Sequence, residues 1–177
     1  RKDGFTQAAY NAVVGRSISR SSSSLAEWIS RNPTDKNIQP WMFRETAKKI
    51  AGRDPGLAAS WLESNLGNKS VNGEVVGQVA STWVERDPAA AAKWVSSLKG
   101  TRVYDKELTK KLGGAWARKD STAALEWAQT LDPKLWNATS ASIVGNLSKE
   151  ELAQNAQWIK ESSTDGRHDG VRAAYAM

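Results

Sequence analysis

The chain has 177 residues, of which 40% are hydrophobic, and its 25 Lys and Arg against 19 Asp and Glu give a net charge of +6. This length favours a single domain, and the apolar content is sufficient for a sizeable core, which excludes wholesale disorder. With no Cys and one His, the composition excludes disulfide scaffolds, Cys-ligated zinc, multi-His metal sites and cysteine nucleophiles. The chain also has nine Trp, an unusually large number that requires an explanation.

The tryptophans recur at a nearly constant interval along the chain. Five of them are separated by 33, 33, 33 and 31 residues: Trp28, Trp61, Trp94, Trp127 and Trp158. Three further columns share the period of 33, namely Ile50, Trp83 and Trp116, then Asp54, Asp87 and Asp120, and then Arg20, Arg53, Arg86 and Lys119. A common period in independent columns predicts a repeat protein.

Each repeat unit predicts two amphipathic helices. The apolar columns have offsets of 0, 4, 8, 9 and 12 in the first helix and 0, 3 and 4 in the second, so each set lies on one helix face. Alternation with a period of two is absent, so no strands are expected. The units run over residues 5–37, 38–70, 71–103, 104–136 and, less regularly, 137–170. Residues 171–177 repeat the start of a first helix, which indicates a sixth unit cut off as it begins.

The junction between the two helices of a unit carries helix-capping residues. The Asp-Pro pairs at 54–55 and 87–88 place a carboxylate at the N-cap and Pro at the first position of the second helix. Ser148 with Glu151 predicts a capping box in the fifth unit. The basic column just before the caps is expected to end each first helix, because a cation is favourable at the negative end of that helix's dipole.

A unit of 33 residues with two helices, and with aromatic and small residues at fixed places, resembles the tetratricopeptide and SEL1-like repeat class. The resemblance covers nearly the whole chain and lies in period and architecture. It departs from that class because the Pro lies between the two helices and the aromatic residue comes late in the first helix. The D-P-x-x-A-x-x-W pattern at residues 54–61 and 87–94 is more similar to repeats of large bacterial proteins. The resemblance implies an all-α, right-handed α-solenoid of about five helix-turn-helix repeats in one domain, residues 1–177, and implies no particular chemistry.

A residue kept in every unit serves the unit, so we interpret the recurring Trp column as structural. Each indole is expected to fill the gap between stacked hairpins and to donate its N–H to a backbone carbonyl. A platform for stacking sugars or bases is disfavoured, because hairpins about 10 Å apart separate successive rings too far. Trp41 and Trp136 break the spacing, and we interpret them as exposed side chains that could anchor a partner, with local packing as the alternative.

Part of the positive charge is concentrated around the first helix of the fourth unit. Helical periodicity places Lys106, Lys110 and Arg102 on a shared face, near Lys111. This is either a solvated basic face or a surface for an anionic partner such as nucleic acid. RNA-reading helical repeats carry a polar side chain at a fixed position of every repeat, and no such column is present, so nucleic acid is the less favoured partner.

The motifs of common enzyme classes are missing from the sequence. It has no phosphate-binding glycine loop and no H-E-x-x-H motif, and most carboxylates are caps or exposed helix positions. His168 lies in a polar linker at residues 164–170, which favours solvent exposure over catalysis. We therefore expect a non-enzymatic scaffold with no catalytic residues, cofactor or metal.

A solenoid of this kind has a concave surface lined by its first helices, and we expect a protein or peptide partner there. The candidate partner-binding residues are Trp41, Arg44, Lys106, Lys110, Lys111 and Trp136. Two alternatives stay open: a binder of nucleic acid or another anionic polymer through the basic face, and a structural spacer in a larger exported bacterial protein. Both an exported and a cytoplasmic location are compatible with the composition.

Overall fold

The structure is a computed structural model that describes residues 22–32, 38–157 and 160. These residues form nine α-helices and no β-strand, which confirms the all-helical prediction for this part of the chain. The helices are α1 Ser22–Arg31, α2 Pro40–Arg53, α3 Pro55–Glu63, α4 Gly73–Val84, α5 Pro88–Ser97, α6 Lys106–Ala117, α7 Ser121–Gln129, α8 Pro133–Val144 and α9 Lys149–Gln154. Several predicted features lie outside the described residues, among them the opening first helix, Arg20, Trp158, His168 and the stub at 171–177.

The helices pack as consecutive pairs. Helix α2 packs against α3, α4 against α5 and α6 against α7, with a short turn between the members of each pair. The first helices of the pairs, α2, α4, α6 and α8, also contact one another in series. The helices α3, α5 and α7 each touch the first helix of the following pair as well. We call α1, α3, α5, α7 and α9 the second helices.

The contacts between first helices show that these helices run in the same direction. In the crossing of α4 and α6, Gly77 lies against the side chain of Lys111. In the crossing of α6 and α8, the Thr139 hydroxyl donates to that of Thr109 at 2.8 Å, and further along Gly113 lies against Ile143. Early residues of one helix therefore meet early residues of the next, and the N-terminal ends of α6 and α8 lie at the same edge.

The apolar stripes of the two helix types form the core. In the first helices, Met42 and Leu108 occupy one predicted column, Val79 and Leu112 another, and all four are fully buried. The second helices bury the apolar positions Ala58, Leu62, Ala91, Val95, Ala124 and Ala128. Full burial of a Val, Leu or Met side chain stabilises a fold by roughly 1.5–3 kcal/mol, so these stripes hold successive pairs together.

The predicted caps are present. The carboxylates of Asp54, Asp87 and Asp120 each accept a hydrogen bond at 2.9 Å from the backbone N–H three residues later. Ser148 and Glu151 form the predicted capping box at the start of α9. Each such cap contributes about 1 kcal/mol to helix stability. The first helices α4 and α6 are also capped, by Asn72 and Asp105, which the sequence analysis did not identify.

The basic column before these caps bonds to a different helix from the one expected. Arg86 donates to the carbonyl of Arg53 at 2.9 Å and to that of Gly52, both at the end of α2. Lys119 likewise donates to the carbonyl of Glu85, which follows α4. At Arg86 and Lys119 the prediction that the cation stabilises the end of its own helix was therefore wrong, whereas Arg53 lies in the last turn of α2 as expected. Because the first helices are parallel, the cation reaches the unpaired carbonyls of the preceding first helix and ties one pair to the next.

The last pair begins earlier than the period of 33 predicts. Helix α8 starts at Pro133, inside the predicted fourth unit. The start is early because the connection from α7 to α8 is short and consists of residues 130–132. The equivalent connection from α5 to α6 takes residues 98–105. Pro133 can occupy the first position because no N–H is needed there. The carboxylate of Asp132 makes no cap hydrogen bond and pairs instead with Lys99 at 3.1 Å.

The two Trp columns pack against each other within each pair. Trp83 of α4 contacts Trp94 of α5 with ring centroids 5.8 Å apart, and Trp116 of α6 contacts Trp127 of α7 at 6.0 Å. Tilted rings at this separation attract each other beyond the area that they bury. Trp94 and Trp127 are buried, and the other two are partly buried against the core. Both columns therefore contribute to the core.

The indole N–H groups of the second helices do not all have the acceptor that was expected. Trp61 donates to a backbone carbonyl of α1 at 3.3 Å and to the Ser30 hydroxyl at 3.1 Å. Trp94 donates instead to the Glu63 carboxylate of α3 at 2.8 Å. The Trp127 N–H is buried and has no acceptor among the described residues. The expected carbonyl acceptor is thus present at Trp61, and at Trp94 and Trp127 the expectation was wrong.

We predict that two neighbouring glycines of α6 respond oppositely to alanine. A Cβ at Gly113 would lie 2.9 Å from Thr139 and 3.1 Å from Ile143, whereas the nearest atoms at Gly114 are 3.9 Å away. Gly113→Ala should lower the free energy of unfolding by about 1–2 kcal/mol, because the crossing of α6 and α8 is overpacked. Gly114→Ala, the control, should leave it unchanged or raise it by up to ~1 kcal/mol through helix propensity. Urea unfolding measures both, and equal responses would contradict the close crossing.

We also predict that Ser96→Glu stabilises the chain. Ser96 precedes Trp127 by the same 31 residues that separate Glu63 from Trp94, so a glutamate there can accept from the unpaired indole N–H. The free energy of unfolding should rise by about 1 kcal/mol. Ser96→Ala is the control for helix propensity. If the gain persisted in a Trp127→Phe background, where no indole N–H remains, the hydrogen bond would not be its cause.

Candidate partner-binding surface

The first helices expose one stripe opposite the core, which we call the first-helix face. Its positions are three or four residues apart along each helix, as a single helix face requires. The face consists of Trp41, Arg44, Glu45 and Lys48 of α2, Glu74, Gln78 and Ser81 of α4, Glu107, Lys110 and Lys111 of α6, and Lys134, Ala138 and Ala141 of α8. Helical periodicity therefore places four of the six predicted partner-binding residues on this face.

The two candidates on α2 differ in exposure. Trp41 is partly buried and packs against the core, so its interpretation as an exposed side chain was wrong and the alternative of local packing fits the structure. Arg44 is exposed and forms an ion pair with Glu45 at 3.5 Å. Because both side chains are in solvent, this pair is weak and leaves the guanidinium accessible.

Trp136 does not belong to the surface. The prediction that this ring is exposed was wrong, since its residue is 6% exposed and joins the core. The reason is the early start of α8 at Pro133, which places Trp136 on the same helix face as the buried Thr139 and Ile143. A sequence register based on the period of 33 places Trp136 at the end of the fourth unit and Thr139 and Ile143 in the fifth, and so misses the stripe that they share.

The basic patch of the fourth unit divides into structural and solvent-facing cations. Arg102 donates to the carbonyl groups of three residues in the connection between α3 and α4, at 2.9 to 3.0 Å. Lys111 lays its aliphatic stem against Gly77 of α4. Lys106 is exposed, and Lys110 contacts Glu107 at 3.8 Å. The structure therefore keeps Lys106 and Lys110 together, directs Lys111 toward α4 and removes Arg102 from the patch.

Charge is distributed unequally between the first and the second helices. The four first helices carry eight Lys and Arg against three Glu, whereas the five second helices carry three Lys and Arg against five Glu. The basic residues of the first helices are Arg44, Lys48, Lys49, Arg53, Lys106, Lys110, Lys111 and Lys134. In the described part of the chain, the excess of positive charge within helices thus lies on the first helices.

One exposed apolar residue was not identified from the sequence. Leu57 of α3 is 60% exposed, on a second helix and away from the first-helix face. The residues at the same place in the next two units are Ala90 and Ala123. A Leu where the other units have Ala was the signal in the sequence that could have identified this exposed side chain. A single exposed Leu is common on protein surfaces and by itself marks no site.

We also searched the described residues for metal-binding groups and membrane-spanning helices, and compared the chain with known proteins. None of their His, Cys, Asp and Glu side chains form a group of three or more that could hold a metal ion. No helix in the described part of the chain has the length and apolar character required to span a bilayer. Comparison with models of protein families, with curated proteins and with solved structures gave no match.

We predict that Arg102 stabilises the fold. Arg102→Gln removes the hydrogen bonds to the carbonyl oxygens of Leu66, Asn68 and Val71 and should lower the free energy of unfolding by about 1.5–3 kcal/mol. Lys106→Gln removes the same charge from a side chain with no partner among the described residues, and should change stability by less than ~0.5 kcal/mol. Urea unfolding of the two variants measures the difference, and similar losses would mean that Arg102 acts only as a surface charge.

Proposed function

We propose that the chain is a right-handed α-solenoid that binds a protein or peptide partner on a concave surface formed by its first helices, without catalysing a reaction. The series of parallel first helices supports this proposal, because stacking of similar helix pairs with a small rotation per pair produces an extended curved surface. Tetratricopeptide-like repeats bind their partners in this way, and the resemblance of the repeat unit extends the proposal to this chain.

The observation that carries the proposal is the contrast between buried and surface columns. The core column of Met42, Val75 and Leu108 keeps its apolar character from one first helix to the next. On the first-helix face, the same step of 33 replaces Trp41 by Glu74 and Glu45 by Gln78. Positions that serve the unit are retained, so varied positions that share one face are available to recognise a ligand. The partly buried indole of Trp41 gives this face an apolar anchor beside its charges.

The test selects partners without assuming their composition. A displayed library of random peptides is panned on the immobilised chain, and the dissociation constants of the enriched peptides are measured. Arg44→Ala/Lys110→Ala removes two charges from the first-helix face. The matched variant Lys93→Ala/Lys149→Ala removes two exposed charges from second helices. We expect the enriched peptides to bind the first variant about tenfold more weakly and the second unchanged, since interface residues can each contribute more than ~1 kcal/mol.

Two outcomes would overturn the proposal. If both variants weaken binding equally, the peptides recognise the net charge and not the first-helix face. If no peptide is enriched, the chain is better described as a structural spacer, whose surface tolerates substitution everywhere. Urea unfolding of both variants checks that a loss of binding does not reflect a loss of structure. The free energy of unfolding of each variant should lie within ~0.5 kcal/mol of that of the original chain.

A further inference from the structure

Three lysines of α6 and α8 are directed to solvent at one edge of the first-helix series. Lys106 and Lys134 are exposed, and their side chains make no hydrogen bond or ion pair with any described residue. Lys110 has one partner, Glu107, at 3.8 Å, and both side chains of that pair are well exposed. Other cations nearby, such as Arg102 and Lys119, donate to backbone carbonyls and are not available for a ligand. We call Lys106, Lys110 and Lys134 the lysine cluster.

The helix contacts place the lysine cluster beside the crossing of α6 and α8. Thr109 and Gly113 of α6 both touch Thr139 of α8, so the side of α6 that carries them faces α8. Lys106 and Lys110 flank Thr109 on that side, one helical turn apart. Lys134 precedes Thr139 by five residues in the parallel helix α8, so it lies at the same end as Lys106. Packed helices are 8–10 Å apart, which brings the three ammonium groups within reach of one bound segment.

The surface between the two helices is shallow and lacks an aromatic ring. Ala138 and Ala141 of α8, both partly buried, carry the smallest side chains of this face, and the buried Gly114 of α6 adds no side chain to it, so a ligand backbone can approach closely. The Trp residues of α6 and α8 cannot serve as stacking platforms, because Trp116 packs against the core and Trp136 is buried in it.

We propose that the lysine cluster and the surface between α6 and α8 bind an acidic polypeptide segment. This inference rests on the proposed function and names the chemistry of its partner. The excess of basic residues on the first helices supplies the charge complementarity that an acidic segment requires. Because Lys106 and Lys110 are separated by about 6 Å along the helix, they match carboxylates two residues apart in an extended strand, about 6.7 Å, and therefore favour a Glu-x-Glu pattern.

Nucleic acid fits the same surface less well. Glu107 lies between Lys106 and Lys110 on the helix, and Glu74 lies on the neighbouring first helix α4, so a continuous row of phosphates meets acidic side chains. Sequence-tolerant binding of single strands also depends on aromatic rings on which bases stack, and the surface between α6 and α8 offers none. Carboxylates separated by uncharged residues avoid both difficulties.

The test uses the full chain and a fluorescein-labelled peptide of twelve residues in which Glu and Ser alternate. Binding is followed by fluorescence anisotropy at ~50 mM salt, where exposed charges are weakly screened. Lys106→Gln/Lys110→Gln should raise the dissociation constant about tenfold. Lys93→Gln/Lys149→Gln also removes two positive charges, but from second helices, and should leave the dissociation constant unchanged. An isomeric peptide that repeats Glu-Glu-Ser-Ser carries the same charge but no two glutamates two residues apart, and it should bind less tightly than the alternating peptide.

Each remaining outcome overturns the inference. If the peptide does not bind, or if both double variants weaken it equally, the lysine cluster is not its site. If an unlabelled single-stranded oligonucleotide of the same charge binds the unmodified chain more tightly than the peptide, the surface recognises nucleic acid. If neutral peptides from the library bind the first-helix face while the glutamate peptide does not, the inference fails and the proposed function stands. If neither class of peptide binds, both fail.

Discussion

The parallel, close packing of the first helices is the constraint on which the rest of the structure depends. Helices that run in the same direction bring the unpaired carbonyls at the end of one helix beside the residue that ends the next. Arg86 and Lys119 can therefore bond to the preceding pair. The same packing requires small residues where the helices cross, as at Gly77 and Gly113. Each pair is thus held chiefly by its neighbours, as in arrays whose stability is a sum of nearest-neighbour terms.

The second helices are joined by a different interaction, which depends on the indole rings. Each ring extends from one second helix to the preceding one, and its N–H uses whatever acceptor that helix provides, a hydroxyl at Ser30 or a carboxylate at Glu63. At Trp127 the corresponding position is Ser96, which makes no such hydrogen bond, and the N–H stays buried without a partner among the described residues. The ring is retained because its apolar area matters more than the single hydrogen bond.

The role of a basic residue depends on whether it lies in a turn or connection or within a first helix. Cations in the turns and connections, such as Arg102, bond to carbonyls of the preceding pair. Among the cations within the first helices, Lys111 packs against Gly77 of α4, whereas Lys106 and Lys134 are exposed and their side chains have no partner among the described residues. A long basic side chain near a helix end can reach across to a neighbour, whereas one in the middle of an exposed stripe has only its own helix within reach. This division leaves the first-helix face with an excess of positive charge.

The sequence by itself determined what is local and periodic. The period of 33 located the helices from residue 40 to 129, and the Asp and Ser caps were identified correctly because a cap depends on residues within one turn. The tertiary structure decided what depends on the neighbouring pair: the acceptor of Arg86, the acceptors of Trp94 and Trp127, and the burial of Trp136. A side chain that leaves its own helix can meet any group that packing brings near, and periodicity contains no information about that group. Tryptophans at a nearly constant interval predicted a repeating chain, and the packing of parallel helices decided which rings belong to the core and which lysines are exposed.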